Sequence, residues 1–265
     1  MLWSIAFIVA SPLIWAVLSS LKSDIEVQRY PPTVLPQHVT LASYTDLFHV
    51  LPFGTFFLNT LGVAVATALL TIALASTAAY AMARFRLPVS EWASFVGLAA
   101  YMVPGILVVV PVFRVAHSLH ALDSLPALTA LYTAYFLPFG VWQLRSYFAG
   151  IPFDLEAAAM VDGATRFEAF YLVVLPQALP GLIATGIFTF AVTWNEFLFA
   201  SLLLYTPAHQ TLSAGLTTAL IGETNLYSWG VLMAGATLMT LPVMVVFMVV
   251  QRSLVSGFGS GAVKG

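Results

Sequence analysis

Long apolar stretches separated by short polar connectors make up most of the 265-residue chain. A membrane-spanning α-helix needs about 20 predominantly apolar residues. Six stretches have about that length: Leu2–Leu21, Leu58–Ala83, Trp92–Phe113, Leu125–Tyr147, Leu179–Tyr205 and Trp229–Val250. The pattern predicts an all-α, polytopic membrane protein with six transmembrane helices in a single domain, residues 1–265. We expect the first stretch to be a retained span, since it is longer than the apolar core of a cleaved signal peptide.

Several prolines lie inside the predicted spans, among them Pro104 and Pro111 in the third and Pro138 in the fourth. Proline removes a helical hydrogen bond and commonly bends the helix that contains it. We therefore expect kinks at these positions, which can open cavities between neighbouring helices.

The composition independently indicates a lipid environment. Hydrophobic residues make up 60% of the chain and charged residues 8%, which is too little polar surface to enclose a soluble core. The chain has no cysteine, so disulfides and thiol chemistry are excluded. No basic run suggests nucleic-acid binding.

The distribution of lysine and arginine predicts the orientation, because these residues concentrate on the cytoplasmic side of membrane proteins. With both termini cytoplasmic, the inner segments hold Arg84, Arg86, Arg145, Arg166, Arg252 and Lys264. The outer segments then hold Lys22, Arg29 and Arg114. Six against three favours this arrangement, which makes the chain a multi-pass protein of the inner or plasma membrane with cytoplasmic N- and C-termini.

A polar insert between Ile151 and Gly181, IPFDLEAAAMVDGATRFEAFYLVVLPQALPG, interrupts the apolar pattern. Asp154 is a candidate cap for a short helix that continues to Val161. Gly163 follows, and glycine best tolerates the left-handed conformation that ends a helix. The spacing therefore predicts a first helix closed by a glycine turn.

A second helix is predicted after the turn. Thr165 and Glu168 have the spacing of a capping box, and Pro176 and Pro180 are expected to end or bend the helix that follows. The insert, about residues 151–180, thus reads as a cytoplasmic helix–turn–helix.

The predicted surface of the insert suits a groove on a soluble partner. Three consecutive alanines, Ala157, Ala158 and Ala159, give the first helix a bare surface. Charged residues border it, namely Glu156, Asp162, Arg166 and Glu168. The alternative is a plain cytoplasmic loop that contains two short helices.

The insert resembles the EAA loop of permease subunits in ATP-binding-cassette (ABC) importers. The matching residues are Glu156, Ala158, Ala159, Asp162, Gly163, Ala164 and Pro176, in the form found in carbohydrate importers. One position departs from the family, which often has a second glutamate where this chain has Ala157. The remaining acid therefore lies one residue earlier, a rotation of about 100° around a helix.

The resemblance covers nearly the whole chain and is to the second permease subunit of sugar importers of the maltose-transporter type. It includes SLKSDIEVQRYPPTVLPQHVTLASYTDLF after the first stretch, NT at Asn59, AAYAMARFRLP from Ala78, WNEF from Trp194 and the closing GAVKG. It implies the type I ABC importer permease fold and alternating access between outward-open and inward-open states. Carbohydrate is the cargo that the resemblance implies, with glycerol phosphate or another polar solute as the alternative.

The resemblance also implies partners and site residues. The partners are a second permease subunit, two cytoplasmic ATPase subunits that hold ATP and Mg, and an extracytoplasmic solute-binding protein. Contact with the ATPases is assigned to Glu156, Ala158, Ala159, Asp162, Gly163, Ala164 and Phe167. This chain itself is expected to bind no cofactor and to be no enzyme.

Catalytic motifs are missing from the sequence. Neither Lys22 nor Lys264 lies in a phosphate-binding loop, so nucleotide is not bound by that route. His117 and His120 share a helical face, but two histidines without a third ligand do not predict a metal site. A polytopic membrane enzyme would need a catalytic constellation, and a secondary carrier would leave the docking insert unexplained.

Glu196 lies inside the fifth apolar stretch beside Trp194 and Asn195. An ionisable residue in a span is costly, and such residues often line a substrate path. The alternative is a packing hydrogen bond to a neighbouring helix. Aromatic rings that could stack on a sugar along the same path belong to Tyr132, Tyr135, Trp142 and Trp194.

The predicted orientation can be tested with reporter fusions. We expect a cytoplasmic reading from fusions after Arg86, Ala164 and Gly265. We expect an external reading from fusions after Gln37, Ala121 and His209. A cytoplasmic reading at Gln37 would contradict the topology.

Overall fold

The computed structural model describes residues 2–85, 90–221 and 229–259, and within these ranges every regular element is a helix. The all-α prediction is confirmed. The first helices are α1 (Leu2–Ser20), α2 (Asp24–Val27), α3 (Ala42–Val50), α4 (Phe53–Arg84), α5 (Ser90–Tyr101), α6 (Gly105–Ser118) and α7 (Leu125–Gly150). The later ones are α8 (Phe153–Val161), α9 (Arg166–Ala169), α10 (Leu175–Gln177), α11 (Leu179–Asn195), α12 (Leu198–Leu203), α13 (Leu212–Ile221) and α14 (Trp229–Gly259).

Four unbroken helices in the described part are long and apolar enough to cross a membrane. They cover Trp3–Ser20, Phe53–Arg84, Leu125–Gly150 and Trp229–Gln251. Two further candidates are broken: α5 and α6 meet at 95°, and the segment Arg166–Gln177 meets α11 at 74°. The number of spans reaches the predicted six when each bent pair counts as one.

The break between α5 and α6 follows from Pro104, which precedes the first residue of α6. The expected bend at this proline is confirmed, because a proline restricts the residue before it to extended conformations. Helix α6 continues through Pro111 and helix α7 through Pro138 without a break.

The predicted fifth span, Leu179–Tyr205, extends beyond the end of the helix that the structure shows. Helix α11 stops at Asn195, because Glu196 has extended backbone angles, φ −69° and ψ 129°. The short helix α12 follows it. Hydrophobicity continues to Tyr205, but the helix does not, and Glu196 therefore lies at a helix end rather than inside a span.

The chain divides into two compact units, one formed by Met1–Thr60 with Phe197–Val245 and the other by Leu61–Glu196 with Val246–Gly265. In the first unit, Asn59 and Thr60, the NT pair of the family resemblance, hold the connector that precedes α13. The Asn59 amide donates to the carbonyl oxygens of Ala208 and Gln210 at 2.9 and 3.0 Å. The Thr60 hydroxyl accepts from the N–H of Leu212 at 2.7 Å.

The connector after α1, in the same unit, is held by a polar network. Lys22 Nζ donates to the carbonyl oxygen of Thr33. Glu26 accepts from the Thr33 hydroxyl at 2.7 Å and from the N–H of Gln37 at 2.9 Å. The Thr33 hydroxyl, followed by the Gln37 N–H and the charge of Lys22, lowers the pKa of Glu26. The network is therefore complete above the ordinary carboxyl range and weakens as pH falls through this lowered pKa.

The second unit packs α4, α7 and α11 closely together. A Cβ at Gly140 of α7 would lie 3.1 Å from Ala75 and 3.2 Å from Thr71, both on α4. The same Cβ would lie 3.4 Å from Thr185 on α11. Glycine therefore permits a three-helix contact at this level. An apolar cluster in this unit joins Tyr80 of α4 and Leu144 and Phe148 of α7 with Phe170 and Val174 of the insert.

Candidate functional site

The first helix of the insert, α8, begins at Phe153 with Pro152 at its cap position. Proline fixes the backbone angle φ for helix entry, which starts the helix one residue before Asp154. The predicted cap at Asp154 is therefore wrong. Asp154 and Glu156 instead lie in the first turn, where negative charge suits the helix dipole.

The predicted glycine turn is confirmed. Gly163 has φ +96°, a conformation that costs other residues about 1–2 kcal/mol. The N–H of Gly163 bonds to the carbonyl of Met160 at 3.2 Å, and the N–H of Ala164 to that of Ala159 at 3.0 Å. This pair of bonds is the Schellman closure of a helix, and it fixes the direction in which the second helix leaves.

The capping box of the second helix is also confirmed. Glu168 Oε2 accepts from the N–H of Thr165 at 2.7 Å, and the Thr165 hydroxyl accepts from the N–H of Glu168 at 3.3 Å. Beyond α9 the turns widen into a π-helix over Phe170–Val174, which the sequence did not predict. Pro176 follows it and has no N–H to bond to the carbonyl four residues earlier.

Glu156 points into the chain, not toward a partner. Its side chain is 1% exposed. One carboxylate oxygen accepts from the Tyr80 hydroxyl, and the other lies 2.8 Å from Nε of Arg84. The expectation that Glu156 carries charge on the insert surface is wrong, because helix α4 supplies both partners of its carboxylate.

The contact between Glu156 and Arg84 is a buried ion pair. The Arg84 guanidinium also donates through Nη2 to the carbonyl oxygen of Ile151 at 2.9 Å, at the junction between α7 and α8. Removing one partner of a buried pair typically costs about 3–5 kcal/mol, because the other charge is left without compensation. Tyr80 and Arg84 are four residues apart on one helix, a spacing that places both on the same face. That spacing in the AAYAMAR motif was the available sequence indication of this contact.

The outward surface of the insert is largely apolar. Val161 is 86% exposed and Phe167 is 68% exposed, on either side of the glycine turn. Ala158 and Asp162 are also exposed, whereas Ala159 and Ala164 are half-buried. Of the residues assigned to ATPase contact, Ala158, Asp162, Gly163 and Phe167 are exposed, Ala159 and Ala164 are half-buried, and Glu156 is buried. We call the four exposed residues together with Val161 the docking face.

The structure brings together two of the residues considered for a substrate path. The Tyr132 hydroxyl, on α7, donates to Oε2 of Glu196 at the end of α11. Glu196 is half-buried. Asn195 is exposed, and its amide donates to the carbonyl of Ala191 in its own helix at 2.8 Å. Glu196 thus makes the kind of interhelical hydrogen bond that the packing alternative requires, while part of its surface remains accessible.

The aromatic candidates occupy different environments. Trp194 is 0% exposed and stacks on Phe190 with 5.7 Å between ring centroids, so in this conformation it does not line a path as predicted. Tyr135 is half-buried, and its ring centroid lies 5.5 Å from that of Tyr101. Trp142 is exposed.

His117 and His120 lie where α6 ends. The His117 ring is 6.3 Å from that of Phe113, and His120 has φ +53° in the turn after the helix. No group of three His, Cys, Asp or Glu residues placed to hold a metal occurs among the described residues.

The chain is similar in sequence to known transport proteins. The sulfoquinovosyl glycerol transport system permease SmoH of Agrobacterium fabrum is 36% identical over 254 residues, covering 96% of this chain and 88% of that protein. The trehalose transport system permease SugB of Mycobacterium tuberculosis is 33% identical over 254 residues, covering 96% and 92%.

The fold matches that of a chain in the crystal structure of a bacterial ABC transporter that imports the polysaccharide alginate. The TM-score is 0.81 at 24% identity, over 95% of this chain and 92% of that one. A family model described as the binding-protein-dependent transport system inner membrane component matches residues 71–259. The chain therefore belongs to the family of binding-protein-dependent transport system inner membrane components and is a multi-pass membrane permease.

Proposed function

We propose that this chain forms half of the translocation path of a sugar importer and receives its driving force from separate ATPase subunits through the docking face. The observation that carries the proposal is the exposure of Val161 and Phe167 on a rigidly capped helix–turn–helix. Apolar side chains exposed together on one ordered polar-bordered element are typical of a protein interaction surface. The sequence holds no phosphate-binding loop, so ATP hydrolysis is assigned to the partner.

The assembly follows from the same reasoning. One chain with up to six spans supplies one side of a path, and a second permease supplies the other. Two cytoplasmic ATPases with ATP and Mg, together with an external solute-binding protein, complete the importer. The docking face lies in the cytoplasm when both termini do, as the charge distribution favours.

A sugar is the proposed cargo, because two relatives that match nearly the whole chain are named for sulfoquinovosyl glycerol and trehalose transport. Glu196, Asn195 and Tyr135 are the proposed polar and aromatic contacts along the path. Hydrogen-bonding groups and aromatic faces together suit a polyhydroxylated ring. Uptake of labelled glycerol phosphate in place of sugars would support the alternative cargo.

The coupling role of the insert is tested at its glycine turn. Replacing Gly163 by Ala places a side chain at φ +96°, which costs about 1–2 kcal/mol and turns the docking face away. We expect ATPase co-purification with the solubilised permease to weaken by roughly tenfold and sugar uptake to fall with it, while the spans still insert.

The matched control is Gly150→Ala. Gly150 ends α7 close to the insert, lies within a helix, and a Cβ there meets no atom within 4 Å. This variant should keep the parental ATPase binding and uptake. Parental behaviour of Gly163→Ala as well would show that the insert is not the coupling element.

The path role of Glu196 is tested by changing its charge and its hydrogen bond separately. Glu196→Gln keeps an acceptor for the Tyr132 hydroxyl, so assembly and thermal stability should be unchanged. Loss of a charge-assisted contact to cargo should change uptake by about threefold to tenfold. Normal uptake in Glu196→Gln, together with failed assembly in Glu196→Leu, would identify Glu196 as a packing residue.

A further inference from the structure

The buried contact between α4 and α8 joins parts of the chain that are far apart in sequence. Arg84 and Glu156 are 72 residues apart, and α8 is covalently continuous with α7, not with α4. We propose that Tyr80, Arg84 and Glu156 form a clamp that makes the insert and the last turns of α4 move as one body during transport. The clamp rests on the proposed function, because it concerns where force received at the docking face goes next.

The bonds of the clamp fix the orientation of α8 relative to α4 as well as the distance between the two helices. Tyr80 and Arg84 stand one turn apart, and each donates to a different oxygen of Glu156. Arg84 simultaneously holds the carbonyl of Ile151. A single contact would allow α8 to pivot, whereas two donors on two oxygens plus a third bond to the helix junction oppose rotation of the insert about any of them.

The second half of the insert is tied to the same end of α4. The Phe170 ring packs on Tyr80 with centroids 4.5 Å apart. The Arg166 guanidinium lies over the Phe85 ring at 5.1 Å, immediately beyond α4. Both sides of the glycine turn therefore contact α4, so a displacement of the docking face cannot bypass that helix.

Burial makes the clamp resist opening. The Glu156 carboxylate is 1% exposed, and swinging the insert away from α4 would separate a buried charge from its compensating partner. Force on Val161 and Phe167 is therefore transmitted to α4, a helix of 32 residues, as well as to the covalently attached α7. Tyr80, Arg84 and Glu156 are positioning residues, since none of them lies on the docking face.

The test uses the complete importer, permeases with ATPases and binding protein, in proteoliposomes. The main variant is Arg84→Met combined with Glu156→Met, which removes both charges and leaves no single buried charge behind. The docking face is unchanged, so we expect the ATPase to stay bound and active. Transport per ATP hydrolysed should fall by about tenfold or more. Tyr80→Phe keeps the ring packing but removes the hydroxyl donor, so transport per ATP hydrolysed should fall by about threefold.

The control is Arg145→Met, which removes an arginine that bonds Ser94 at 3.1 Å and takes no part in the clamp. It should keep the parental ratio of transport to hydrolysis. A double-methionine importer with that parental ratio would overturn the clamp. If the double-methionine protein does not assemble, the test uses Arg84→Cys combined with Glu156→Cys. The chain has no native cysteine, so a thiol reagent reacts only at these two positions.

A short bifunctional thiol reagent then replaces the ion pair by a covalent bridge. Recovery of assembly and transport after bridging supports the clamp, and failure to recover transport overturns it. Failure of the proposed function gives a different result: the parental permease would then retain no ATPase and hydrolyse no ATP in response to sugar.

Discussion

A carboxylate removed from water must be balanced by charge or hydrogen bonds, and for Glu156 both the ion pair and the hydroxyl donor come from the last turns of helix α4. This requirement sets the position of α8, since the helix must present its inner face to Tyr80 and Arg84. With that face held inward, the opposite face, which carries Ala158 and Val161, is turned outward. The buried ion pair and the part of the docking face that α8 carries thus lie on opposite sides of one short helix.

Local rules explain why parts of the insert were predictable from sequence. The conformation of Gly163 and the capping box of Thr165 with Glu168 depend on residues within one turn. The direction of Glu156 depends on Arg84 and Tyr80, which lie 72 and 76 positions away, and no pattern within the insert itself reveals them.

The same distinction holds for the membrane segments. Apolar length predicted six candidate spans, and the helices long and apolar enough to cross a membrane fall in the same stretches. It did not locate the end of α11, since the extended backbone at Glu196 breaks the helix within a continuing apolar run. Trp194 was read as a path residue from its neighbours in sequence, but packing against Phe190 places its ring in the interior.

The central claim is that the outward face of α8 meets an ATPase subunit while its inward face is held by α4. Photo-cross-linking tests this most directly, with a photoreactive amino acid placed at Val161 in the assembled importer. A control probe at Leu69, exposed on the side of α4, reports lipid contact. The account predicts an ATPase adduct from Val161 and none from Leu69. An importer in which the Val161 probe forms no ATPase adduct would contradict it.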